Sequence, residues 1–119
     1  MLVIWDTPII VELEVVLHLL GQEMEEKYGR EYFGRPVESG SNIMIKCPFH
    51  KDGQERKPSM GVRVDDGRYN CFTCGEHGDL PMFIAKSLDL GVKRDSTGEV
   101  VEPPKPELGY KWLLKKFNL

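Results

Sequence analysis

The 119-residue sequence predicts a small α+β protein, a three-stranded antiparallel sheet flanked by an N-terminal and a C-terminal helix. Three observations predict it. Apolar residues recur at helical spacing near the N-terminus. Three short β-type runs lie around an Asp66-Gly67 turn. Two close pairs of cysteine and histidine residues bracket that turn, at a spacing that lets all four side chains meet.

Residues 7–28 read as the first helix. Thr7 can cap it, and Pro8 suits the first helical position, where its missing N–H costs nothing. Ile9, Leu13, Val16, Leu17, Leu20 and Met24 form one apolar face, and Val11, Val15 and Leu19 form a second stripe. Two apolar sides need two things to pack against, and internal core is favoured over a partner surface. The alternation Val11-Glu12-Leu13-Glu14-Val15 also suits a strand, and Gly21 weakens or ends the helix near its middle.

Residues 29–42 are turn-rich and polar. Strands are expected over 43–46, over 59–64 with Met60, Val62 and Val64 on one face, and over 68–72. Asp66-Gly67 joins the last two as a hairpin. Asp79 caps a helix over about 80–89 whose inward residues are Leu80, Phe83, Ile84 and Leu88. Residues 91–109, with three closely spaced prolines, read as a linker holding a small hairpin at 95–98. Residues 110–117 read as two turns of amphipathic helix, with Trp112 and Phe117 seeking burial. The expected organisation is thus a lead-in over 1–42, a sheet module over 43–90, a linker over 91–109 and a helical tail over 110–119.

Composition narrows the function classes. With 40% hydrophobic and 29% charged residues the chain is globular in type. It is too short to hold both a large catalytic cleft and the core that cleft needs. A net charge of −3 does not advertise a nucleic-acid binder. The distribution is more informative: residues 1–45 hold eight acidic against three basic residues, and 46–74 hold six basic against four acidic. The longest apolar stretch, around 8–20, is broken by Glu12, Glu14 and His18, so no membrane span is expected. No secretory leader is apparent, and a cytoplasmic location is expected. Three cysteines cannot all pair as disulfides.

Those cysteines carry the chemistry. Cys47-Pro48-Phe49-His50 and Cys71-Phe72-Thr73-Cys74 give C-x2-H, twenty residues, then C-x2-C. Thiolate sulfur and imidazole nitrogen are the donors tetrahedral Zn2+ prefers, and the intervening hairpin returns the second pair beside the first. Gly75 supplies the positive φ that a knuckle turning back on its sulfur needs. Four protein ligands close the shell, so the expected zinc is structural and no catalytic centre is expected in the chain. His77 also fits the spacing after Cys74, but His50 completes a symmetric pair of turns. A redox role for Cys71 and Cys74 would leave Cys47 and His50 as coincidence.

At these residues the sequence resembles the Cys-His-Cys-Cys zinc-binding domain, a zinc ribbon, of bacterial and bacteriophage DNA primases. The resemblance lies in Cys47-Pro48-Phe49-His50, Lys57-Pro58-Ser59-Met60, Tyr69-Asn70-Cys71-Phe72-Thr73-Cys74-Gly75 and Gly78-Asp79, running into a helix with Phe83-Ile84. It covers about residues 43–88. The loop over 51–57 is longer than usual for the family, Met60 stands where an aromatic is common, and Asn70 replaces a common histidine.

The resemblance implies that the domain binds single-stranded template DNA and assists initiation of RNA primer synthesis. It would act beside a separate polymerase domain and a replicative helicase. The cationic track such binding needs is available in Lys46, Lys51, Arg56, Lys57, Arg63 and Arg68, and the rings in Tyr69, Phe49 and Phe72. Lys57, Arg63, Arg68 and Tyr69 are the expected contacts. The competing reading is a zinc-ribbon adaptor that binds a protein through Val11, Val15 and Leu19 or through the Trp112 tail. A zinc hydrolase would need an exchangeable zinc-bound water, which four protein ligands exclude.

Overall fold

The computed structural model describes residues 1–50 and 56–119. The chain forms two compact units, Met1–Asp79 and Leu80–Leu119.

The first unit opens with a hairpin of β1 (Leu2–Ile4) and β2 (Thr7–Ile9), where the sequence reads as a helix start. Ile4 pairs with Thr7, and the two loop residues between them, Trp5 and Asp6, both have positive φ (52° and 63°). That is the backbone of a type I′ turn, made here without glycine. Pro8 is tolerated because it faces Val3, whose N–H points away to the Asp65 carbonyl (2.9 Å); no ladder bond is missing at that pair.

Helix α1 (Leu13–Tyr28) therefore begins six residues later than expected. It buries Leu13, Val16, Leu17, Leu20 and Met24, the expected face. The second stripe is not core in the same way: Val15 is 43% exposed, while Val11 and Leu19 are half-buried. Gly21 does not end the helix. A Cβ there would lie 3.2 Å from the Phe33 ring, so the glycine lets Phe33 pack close to the helix. Gly29, in the left-handed conformation, ends α1 and donates its N–H to the Glu25 carbonyl.

The main sheet has five antiparallel strands in sequential order, not three. They are β3 (Val37–Ser39), β4 (Asn42–Ile45), β5 (Met60–Arg63), β6 (Tyr69–Cys71) and β7 (His77–Gly78). The inner three are those expected. The two extra strands are edges: β3 is exposed throughout and β7 is two residues long, so neither carries an apolar pattern. Ser39 pairs with Asn42 across a Gly40-Ser41 loop with Gly40 at φ 61°, a tight hairpin turn.

Alternation divides the sheet cleanly. Ile43, Ile45, Met60, Val62, Tyr69 and Cys71 are buried on one face. Asn42, Met44, Gly61, Arg63, Asn70 and His77 occupy the other, as the pairings Asn42↔Arg63, Met44↔Gly61, Gly61↔Asn70 and Asn70↔His77 require. Val64 lies beyond β5 and is exposed.

The second unit contains α2 (Leu80–Leu88), a hairpin of β8 (Lys93–Arg94) and β9 (Val100–Glu102), and α3 (Pro106–Lys116). Leu80, Phe83, Ile84 and Leu88 are all buried, as their spacing indicates. The turn at 95–98 is tied by Asp95 Oδ1, which accepts from the Thr97 hydroxyl (2.6 Å) and from the Thr97 and Glu99 N–H groups. Helix α3 starts four residues before the expected tail because the last of the three prolines, Pro106, opens it. Gly109 lies against α2, where any Cβ would overlap the Pro81 carbonyl. Leu113 is buried, and Trp112 is half-buried with Lys116 Nζ 5.7 Å from its ring centre.

Candidate metal centre and the open face of the sheet

The end of β4 runs into the turn Cys47-Pro48-Phe49-His50, and the end of β6 runs into Phe72-Thr73-Cys74. Pairing of β4 with β5 and of β5 with β6 places the two turns side by side. The Sγ atoms of Cys47, Cys71 and Cys74 and a ring nitrogen of His50 all lie within 4.8 Å of one another.

Two of the separations test the fit. A tetrahedral zinc with Zn–S of about 2.3 Å and Zn–N of about 2.0 Å sets donors about 3.8 Å apart for two sulfurs and about 3.5 Å for sulfur and nitrogen. Cys47 Sγ is 3.8 Å from Cys74 Sγ, and Cys71 Sγ is 3.6 Å from His50 Nδ1. The donor set and its spacing fit the ion. His77 stands apart from this cluster, with Nδ1 2.9 Å from the Gly75 carbonyl oxygen.

The knuckles are built to hold negative sulfur. The Phe49 N–H points at Cys47 Sγ and the Cys74 N–H at Cys71 Sγ, both at 3.4 Å. Ser59 Oγ is also 3.4 Å from Cys71 Sγ. Gly75 has φ 80° and donates to the Cys71 carbonyl, closing the second turn as expected. Burial pushes the Cys47 thiol well above its ordinary range, against the Phe49 N–H. Burial also pushes Cys71 up, but the Cys74 N–H, the Ser59 hydroxyl and the Thr73 N–H outweigh it and leave the thiol at about 7. A divalent cation held here would offset the thiolate charge that burial of Cys47 disfavours.

The expected contact residues lie in different places. Lys57 is exposed before β5; Arg63 and Arg68 are exposed on either side of the β5–β6 loop. Lys51 falls outside the described residues. Tyr69 differs from expectation: it is 2% exposed, its ring 5.9 Å from that of Phe49 and its hydroxyl crowded against Gly78. Burial, then the charges of Glu76 and Asp79, raise its hydroxyl above the usual tyrosine range. It is a core residue of the knuckle and cannot present a face for stacking. Period-two alternation carries the signal, because Tyr69 shares a face with the buried Cys71, whereas Asn70 faces the opposite way.

Phe72 is the ring that is open. It is 67% exposed and stands beside a groove of about 340 Å³ lined by Asn42, Gly61, Arg63, Arg68, Asn70 and Phe72, with His77, Gly78 and the edge of Tyr69. Gly61 lies on its floor, and a Cβ there would make ordinary contact, 3.4–3.6 Å, with Met44, Phe72 and Asn42 side-chain atoms. Two guanidinium groups, an exposed ring and amide side chains thus share one face, supported from behind by the cysteine and histidine turns.

Residues 27–99, more than half of the chain, match the family model described as CHC2 zinc finger. The DNA primase of Mycolicibacterium smegmatis is 41% identical over 64 residues, 54% of this chain and 9% of that protein. That of Chlamydia trachomatis is 44% identical over 48 residues, 40% and 8% of the two chains. That of Mycobacterium tuberculosis is 50% identical over 40 residues, 34% and 6%. The matched stretch is under a tenth of the length of each of these relatives. No solved structure matches the chain. Among the described residues, no helix is long and apolar enough to cross a membrane.

Proposed function

The chain belongs to the CHC2 zinc-finger family, and from that premise we propose that it is a template-contacting module of DNA priming: it binds single-stranded DNA and assists the start of RNA primer synthesis. Zinc is its structural cofactor, and Cys47, His50, Cys71 and Cys74 are the ligands in this reading. The ion supplies charge neutralisation and a fixed cross-link between the two turns. The residues around it orient the sheet and exclude water from its buried side.

The observation that carries the reading is the groove on the outward face of the sheet. Single-stranded nucleic acid is held by cations along its backbone and by rings on which bases stack. Arg63 and Arg68 line the groove and supply cations, Lys57 is a further exposed cation just before β5, and Phe72 supplies the ring. Nucleotidyl transfer belongs to a separate polymerase domain or chain, and a replicative helicase is a further partner; the setting is the cytoplasm. In this division residues 43–90 are the DNA-contacting module, 1–42 its lead-in, 91–109 the connection and 110–119 a tail.

The test is titration of zinc-loaded protein with labelled single-stranded DNA at low and moderate salt, with a chelated sample as control. Three phosphate contacts give an affinity that falls about 20-fold between 50 and 200 mM salt. Binding should require zinc, and Arg63→Glu with Arg68→Glu should abolish most of it. Absence of binding at low salt, with zinc confirmed, would reject the reading in favour of a protein-binding adaptor.

A further inference from the structure

The loop between β5 and β6 carries a carboxylate, Asp66, that belongs neither to the metal cluster nor to the lining of the groove. Arg63 donates its N–H to the Arg68 carbonyl, and Gly67 donates its N–H to the Arg63 carbonyl, both at 2.8 Å. The loop over 64–67 therefore closes with the two arginines facing each other across its mouth. Asp66 lies within it, its side chain 27% exposed. Its Oδ1 accepts the Arg68 N–H at 3.0 Å and lies 3.8 Å from Arg63 Nε, while Oδ2 lies 4.0 Å from Arg68 Nε. One carboxylate is thus shared by the two guanidinium groups that border the groove. Neither arginine has another ion pair among the described residues.

We infer that Asp66 is a positioning residue that holds Arg63 and Arg68 together at the edge of the groove and, by engaging their charge, restrains their attraction for polyanions. The inference rests on the single-stranded DNA reading above. A phosphate that reaches these arginines must share them with Asp66. At such distances and exposures the ion pairs are weak, so the phosphate prevails but with reduced gain. The carboxylate thereby trades affinity for a defined placement of the two side chains. Asp65 provides an internal comparison. It is adjacent, exposed and of the same charge, but its side chain makes no ion pair among the described residues, and only its carbonyl is engaged, by the Val3 N–H.

The experiment compares zinc-loaded wild type, Asp66→Asn and Asp65→Asn for binding to a short labelled single-stranded oligonucleotide of mixed sequence. Asparagine can still accept the Arg68 N–H, so the turn is kept while the charge is removed. Asp66→Asn should bind about threefold more tightly at low salt, with the gain shrinking as salt is added and the thermal midpoint unchanged. Asp65→Asn should gain clearly less. Should Asp66→Asn fail to hold one zinc, Asp66→Ser, whose hydroxyl can also accept the Arg68 N–H, is judged by the same criteria. Equal gains from the two positions, or no gain at Asp66 in a wild type that does bind, would overturn the role of Asp66 alone. A wild type that binds no oligonucleotide would overturn the DNA reading and this inference with it.

Discussion

Among the described residues of 1–79 no strand exceeds four residues, and the side chains at the ends of β4 and β6 converge in a cluster that could hold an ion. In residues 80–119 α2 and α3 pack against each other, with Gly109 against the Pro81 carbonyl, and Leu80, Phe83, Ile84, Leu88 and Leu113 are buried. The first unit spends its polar residues on a cross-link and leaves one sheet face open. The second has no donor cluster among its described residues and relies on close apolar contact. Order in the first is expected to depend on a metal, and order in the second on shape. A binding face can therefore be built on short strands, because the cross-link replaces the core that longer strands would bury.

Removing the metal should break this contrast most visibly. Chelation, or Cys71→Ser, withdraws a contribution on the order of 10 kcal/mol. Amide protection of β4 to β6 should collapse while that of α2 and α3 persists, as hydrogen exchange followed by NMR would report. Equal loss in both units would show that the second borrows its order from the first.

The reciprocal change is Gly109→Ala. A methyl group directed at the Pro81 backbone cannot be relieved by a side-chain rotation, so a loss of about 3 kcal/mol is expected for α2 and α3. Zinc content, measured by a chromogenic chelator after denaturation, should stay at one ion per chain.

The smallest effect is one of pH. The Thr97 hydroxyl, then the Thr97 N–H, hold the Asp95 carboxyl below its ordinary range. A carboxyl lowered in the folded state stabilises fully above its unfolded pKa, and the stabilisation is lost as pH falls through the folded value. The β8–β9 hairpin should therefore loosen in acid below the ordinary aspartate range, with Thr97 and Glu99 amide shifts moving together. A flat response would detach the turn from its carboxylate.

Most of what positions the site was legible in the sequence, and the failures have physical causes. The two metal turns, the inner strands and α2 follow from spacing, because ligands and buried faces impose a period. The β1–β2 hairpin was hidden because Thr7-Pro8 is as good an opening for a helix as it is an outer strand, and Trp5-Asp6 lacks the glycine that usually signals a type I′ turn. Edge strand β3 has no buried residue, so only Gly40-Ser41 marked it. Pro106 reads as linker in the company of its neighbouring prolines, although a proline is also a helix opener. Tyr69 is buried and Phe72 open, the reverse of what chemical type alone suggests, because alternation and not ring type sets the facing. On a two-faced sheet parity decides which ring is open.

The N-terminal hairpin has a practical consequence for optical work. Trp5 donates its indole N–H to Asp79 at 2.9 Å and stands beside the loop that carries Asp65, Asp66 and Arg68. The chain has two tryptophans, and the other, Trp112, belongs to α3. Each unit thus contains its own fluorophore. Trp112→Phe would leave an emission that follows the metal-bearing unit, and Trp5→Phe one that follows the helical pair. The two melting curves could then be recorded separately without any label.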